Sequence, residues 1–256
     1  MNTNRFFVLS FIFILFMPQN TQAGGVNKIL NRLQKSLTVN SDFSAKMTMI
    51  QHKKGQGKKK HELIYYRRDT DDAFLLMTTL PASKKGNGYL RVGDNFWVYR
   101  RNTRSFQHVN RDESVSGTNM KIETFEKKKL TELYKAVKNK KGQDIIYKDK
   151  LGDIPVYRFP LHAKIKDVVY PTQMMWVRRD NFLPLKIEYF SVSGTHMLTS
   201  LYLKYTKING RYFWIKLLNI DEFEKGNKTV ADISGISLQP VDDVVFTKPY
   251  LENLSN

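Results

Sequence analysis

Residues 85–99 read Lys85-Gly86-Asn87-Gly88-Tyr89-Leu90-Arg91-Val92-Gly93-Asp94-Asn95-Phe96-Trp97-Val98-Tyr99. Large apolar residues flank a Gly-Asp-Asn centre on both sides, the pattern of a β-hairpin. A two-residue turn at Asp94-Asn95 would pair Val92 with Trp97 and Leu90 with Tyr99 on one face, leaving Arg91 with Val98 on the other.

The period of two extends outward. Phe43, Ala45, Met47 and Met49 alternate with Ser44, Lys46 and Thr48, and a Gly/Lys turn follows at 52–60. Leu63 to Arg67 and Ala73 to Thr79 continue as strands. A second hairpin is expected over 172–190, turning at Asp180-Asn181. Its register would gather Met174, Trp176, Leu183, Leu185 and Ile187 on one face, against Met175, Val177, Pro184, Lys186 and Glu188 on the other. Asn209-Gly210 joins 201–208 to 211–220, and Gly226-Asn227 leads into 229–238. Ten or eleven strands are expected. Helical spacing occurs twice: in Val26, Ile29, Leu30, Leu33 and Leu37, and in Leu130, Leu133, Tyr134 and Val137 of an expected helix over 126–137. The class is mainly β with a few helices (α+β), a long antiparallel sheet that must curl or close.

The amino terminus reads as an address. Arg5, an apolar run from Phe6 to Met17, and Thr21-Gln22-Ala23 form a secretory signal, with cleavage expected after Ala23. The run is too short for a bilayer, which takes about 20 residues. Residues 1–23 are thus expected to be removed and 24–256 to form one domain, exported and, in a cell with two membranes, periplasmic.

The chain has 42 Lys+Arg, 24 Asp+Glu and no cysteine. Zero cysteine excludes disulfide staples, Zn–thiolate sites, thiol nucleophiles and a lipid on an N-terminal Cys. The charge is uneven. Residues 46–68 hold eight basic residues and one acid, whereas the segment from Asp221 onward holds seven acids and three lysines. Export argues against nucleic acid as the partner, so Lys58, Lys59, Lys60, Arg100, Arg101 and Arg104 are expected to meet anionic headgroups or an acidic surface.

Enzyme chemistry finds little support. None of His52, His61, His108, His162 and His196 stands in a metal-ligand spacing. There is no G-x-S-x-G elbow, no P-loop and no dinucleotide fingerprint. Gly86-Asn87-Gly88 reads as a strand entry, and the carboxylate pairs Asp71-Asp72 and Asp242-Asp243 fall in turns or caps, Asp243 as a helix N-cap. No catalytic residue, metal or cofactor is expected.

The ordered motifs resemble the LolA-like outer-membrane lipoprotein-sorting proteins, in the broad bacterial branch rather than LolA proper. The resemblance is carried by Lys85–Tyr99, Trp176–Leu185, Lys207–Tyr212 and Asp242–Thr247. One segment departs from it: where family members carry Gly-Ser-Asp-aromatic after the first hairpin, this chain reads Ser116-Gly117-Thr118-Asn119-Met120. The resemblance implies an unclosed, strongly curved antiparallel half-barrel plugged by helices, with acyl chains held on its concave face.

The expected cavity residues are Met47, Met49, Leu63, Tyr65, Met77, Leu90, Val92, Trp97, Tyr99, Met174, Trp176, Leu185 and Ile187. Methionine and aromatic side chains there would give an adaptable apolar lining. The expected function is a periplasmic, monomeric carrier or chaperone. It would move acyl chains of lipoprotein or lipid from an inner-membrane donor complex to an outer-membrane acceptor, with peripheral membrane contact. The alternatives are a lipid-sensing regulatory domain of the same fold and a basic exported protein that grips anionic polymer.

Overall fold

The computed structural model describes residues 25–127 and 129–255; the expected signal segment lies outside them. After helix α1 (Gly25–Leu37) come strands β1 (Asp42–Lys53), β2 (Gly57–Arg68), β3 (Ala73–Leu80), β4 (Gly88–Val92), β5 (Asn95–Arg100) and β6 (Ser105–His108). A long segment with short 3-10 turns leads to the single-turn helix α2 (Leu130–Leu133) and β7 (Tyr134–Ala136). There follow β8 (Tyr147–Leu151), β9 (Ile154–Ala163), β10 (Thr172–Arg178), β11 (Pro184–Phe190), β12 (His196–Ile208), β13 (Arg211–Asp221), β14 (Lys228–Ser237) and helix α3 (Lys248–Ser255).

The fourteen strands among the described residues form one antiparallel sheet, ordered β6-β5-β4-β3-β2-β1-β14-β13-β12-β11-β10-β9-β7, with β8 also on β9. Consecutive strands pair from β1 to β6 and from β8 to β14, while β1 with β14 and β7 with β9 pair across a gap in sequence. β6 and β7 end the order without pairing each other, so the sheet is curved but open.

One face carries most of the core, and the strands alternate to supply it. In β1, Phe43, Ala45, Met47 and Met49 point inward. They pack with Leu63, Tyr65, Tyr89, Phe96 and Val98, under Val115, Met120, Ile122 and Phe125 of the long segment. Toward the other end, α1 lays Val26, Ile29, Leu30 and Leu33 against Phe159, Leu161, Met175, Val177 and Ile187. The apolar stripe of α1 and its fixed N-terminus explain its position: the Val26 N–H donates to Asp144 Oδ2 at 3.0 Å. The opposite face of β2–β5 is covered by α3, where Leu251 sits on Leu75, Met77, Leu90 and Tyr99. A side chain at Gly88 would run into Leu251 and come within 3.0 Å of Leu76 O. Glycine is therefore needed for the helix to dock.

Several expectations are corrected. The first hairpin turns at Gly93-Asp94, pairing Val92 with Asn95 and Leu90 with Trp97. Gly93 takes φ 59°, which a two-residue turn favours at its first position and which glycine adopts most easily. The pairing moves by two, so the expected face-sharing survives. The helix over 126–137 shrinks to one turn because Tyr134 joins the sheet edge opposite Ala163. The cap near the C-terminus is Asp242, which accepts from the Val244 N–H at 3.0 Å; Asp243 instead bonds Arg68. Fourteen strands replace ten or eleven, the additions including the short edge pieces β6 and β7.

Candidate functional site

The two halves of the inner face meet along a seam at Tyr202, which packs against both apolar clusters. Three small cavities line up there, of about 60, 40 and 20 Å³, and Tyr202 borders each of them. The largest lies between Leu33 and Leu37 of α1, Leu130 and Leu133 of α2, and Met175, Ile187 and Tyr189 of the sheet. The next is bounded by Phe43, Tyr65, Phe213 and Trp214. Burial dominates the phenols: the Tyr202 pKa is pushed up to about 12, and Tyr189 and Tyr205 are raised well above the usual value. None of these hydroxyls ionises near neutrality.

Residues 111–127 and 129–133 roof the seam, and two devices hold the roof down. The first is a latch. Arg91 Nη1 meets Glu126 Oε2 at 3.0 Å, and Arg111 Nη1 approaches the same oxygen at 3.3 Å. Both guanidiniums lie over the Phe96 ring, at 5.0 and 5.7 Å. Arg91 is 1% exposed, and its Nε–H donates to Gly93 O at 2.7 Å. The second is a strap at Ser116, whose φ of 52° bends the chain onto the sheet. Its N–H donates to Tyr89 Oη at 2.6 Å, its hydroxyl meets Thr78 Oγ1, and its carbonyl accepts from Lys84 Nζ at 2.7 Å. Gln51 Nε2 adds a bond to Gly117 O.

The expected cavity residues divide. Met47, Met49, Leu63 and Tyr65 are on the inner face, with Tyr65 on the 40 Å³ cavity and Ile187 on the 60 Å³ cavity. Met77, Leu90, Trp97 and Tyr99 do share a face, but it is the outer one beneath α3. Val92 is exposed beside the turn. Met174 and Trp176 also leave the inner face: Trp176 stands opposite Lys186, whose Nζ sits 4.6 Å from the indole, while Met175 stands opposite Ile187. The cause is a bulge at Leu185. Val177 pairs with Pro184, but Trp176 pairs with Lys186, so every residue after 185 changes face.

Sequence reasoning therefore missed Met175, Tyr189 and Tyr202. A signal for them existed: a proline inside a strand run, Leu183-Pro184-Leu185, marks a bulge or an edge.

The basic residues come together at one end. Lys58–Lys60 lie exposed on β2, and Arg100, Arg101 and Arg104 lie exposed at the β5–β6 turn. Lys84 joins the two groups. Its pKa is lowered first by burial, then by the charges of Lys59 and Arg100. His61, 1% exposed, sits below them with its pKa depressed by burial, Lys84 and Lys59.

A large open antiparallel half-barrel with its inner face plugged by helices is a LolA-like fold, and known structures share it. A LolA superfamily protein from Nitrosomonas europaea superposes with a TM-score of 0.75 at 21% identity, over 89% of this chain and 100% of that one. A domain named for outer-membrane lipoprotein sorting, from Vibrio parahaemolyticus, gives 0.76 at 16%, over 88% and 97%. A DUF1329 family protein from Desulfovibrio piger gives 0.74 at 19%, over 90% and 100%. The DUF1329-like family model, described as uncharacterized proteins, matches residues 70–253, and the chain belongs to that family. No curated protein sequence matches it. No helix among the described residues is long and apolar enough to cross a membrane.

Proposed function

We propose that the protein is a periplasmic carrier that holds acyl chains of lipid or lipoprotein along the Tyr202 seam and passes them between membranes. The observation that carries this reading is the pair of mainly apolar cavities that border Tyr202 where the two apolar clusters meet, under a roof held by polar latches as well as by its own apolar side chains. Small-molecule sites occupy roughly 300–1,000 Å³, so the cavities of about 60, 40 and 20 Å³ describe a closed state. Cargo enters by lifting the roof, and the acyl chain then replaces the roof's apolar contacts at roughly 0.8 kcal/mol per buried methylene. Binding without covalent chemistry lets a competing acceptor take the cargo back.

In this reading residues 1–23 are removed on export and 24–256 form the working domain. The basic end around Lys59, Lys84 and Arg100 meets an anionic headgroup layer or an acidic partner at the donor or acceptor membrane. A fluorescent long-chain fatty acid tests the proposal. The wild type should bind it, and Ile187→Phe, which fills the seam, should weaken binding while keeping a cooperative melt. Equal binding by the two proteins would remove the seam from the mechanism.

A further inference from the structure

A further cavity, polar and about 300 Å³ in volume, opens between the far end of β1, residues 114–121 and the β13–β14 turn. Three of its lining residues hold a buried polar atom that has no hydrogen-bond partner among the described residues: His52 Nδ1, Asn119 Oδ1 and Thr229 Oγ1. Thr229 is 1% exposed. Asn119 Nδ2 donates to Asn219 O at 3.3 Å, which leaves Oδ1 as the atom in want of a donor. Phe223 stands on the rim, 65% exposed. Buried polar groups are nearly always paired, so three unpaired around one cavity point to a ligand.

This cavity adjoins the seam. The 20 Å³ cavity shares Lys121, Tyr170 and Leu198 with the polar one, and shares Tyr189 and Tyr202 with the largest seam cavity. The Tyr170 and Tyr189 rings stand between the two compartments, 4.9 Å apart at their centroids. A polar chamber beside an apolar groove, with two tyrosine rings in the wall between them, matches the two ends of an amphiphile.

We propose that the polar cavity is the headgroup site of the cargo and that the headgroup carries hydroxyls, as a glycosyl or polyol group does. The inference rests on the acyl-chain reading above and deepens it. A phosphodiester or carboxylate offers only acceptors and leaves the Asn119 carbonyl oxygen unanswered. The charges of the wall do not select for an anion or against one, since Asp221 and Glu224 stand there with Lys53, Lys121 and Lys228. Hydroxyls donate and accept, which suits an amide oxygen, a threonine hydroxyl and an imidazole nitrogen together. The exposed Phe223 ring offers a platform for the C–H face of a sugar.

The test is calorimetric titration of the full mature chain with dodecyl maltoside and with dodecanoate, both below their micelle concentrations. The wild type should bind the maltoside more tightly by about tenfold or more. Thr229→Val and Asn119→Leu should abolish that preference and leave dodecanoate affinity unchanged, with melts that certify folding; Asn119→Ser serves if the leucine variant does not fold. If dodecanoate binds and the maltoside shows no advantage, or keeps its advantage in the variants, the headgroup site is refuted and the carrier reading stands. If neither amphiphile binds, the carrier reading falls and takes this inference with it.

Discussion

Glu126→Gln removes the one carboxylate that Arg91 and Arg111 share, and the structure says where the cost must fall. Arg111 keeps a second partner, Asp167 Oδ2 at 3.2 Å, at the protein surface. Arg91 has no such escape, since it is 1% exposed and enclosed by Phe96 and Gly93. Losing one member of a buried pair costs about 3–5 kcal/mol because the remaining charge is uncompensated. Lifting the roof relieves that cost by letting water reach Arg91, so the substitution penalises the closed state more than the open one. Even the lower figure corresponds to roughly a hundredfold change in the closed-to-open ratio.

With cargo entering the open state as proposed, apparent affinity for a fluorescent fatty acid should rise by about a hundredfold. Amide exchange over 121–127 should quicken while β1 and β14 stay protected. Combining Arg91→Met with Glu126→Leu replaces the pair by apolar contact and should return exchange toward wild type, because such replacements are close to neutral. Faster exchange of the roof with unchanged affinity would refute the latch as the gate.

Three further outcomes follow from the geometry. His61 has a folded pKa below its ordinary 6.5, so its neutral form contributes stability that is present above about pH 6.5 and is lost as pH falls toward the folded value. His61→Leu should therefore gain in melting temperature over wild type between about pH 7 and pH 5, and parallel melting curves would contradict the assignment. Gly88→Ala should cost about 1–3 kcal/mol by overpacking against Leu251 and should make α3 sensitive to protease, read by thermal melt and limited proteolysis. Replacing Lys59 and Arg100 by glutamine should reduce flotation with anionic vesicles most at low salt, since exposed charges are screened over about 8 Å at physiological ionic strength; binding that ignores both substitution and salt would make the basic end a solvated surface only.

The sheet was legible because alternation survives at the level of single strands: β1 reads inward and outward without error from Phe43 to Met49. What alternation cannot say is which face is inward. Leu90, Trp97 and Tyr99 form as apolar a row as Tyr89, Phe96 and Val98, and nothing in the alternation marks the row beneath α3 as the outer one. Helix α3 decides the matter, and its short, weakly patterned sequence Lys248–Ser255 did not announce it. In β10–β11 a single inserted residue, Leu185, exchanged the faces of Met174 and Met175 relative to the expected partners. The seam itself was not legible, because it arises where residues distant in sequence, such as Leu37, Tyr134 and Tyr202, converge.

The contact between β1 and β14 has a consequence for how the chain is made. Met49 meets Ala231 and Lys46 meets Ser234, so the pairing on β1's free side waits for β14, the last strand to be made. Until the last strand arrives, the early hairpins present an unsatisfied strand edge, which is a template for association with other chains. Pairings this remote in sequence also slow folding. The long-lived hazard for this protein is thus a half-made sheet, and a holding factor that covers the Ser44–His52 edge during synthesis and delivery would raise its yield without touching the finished molecule.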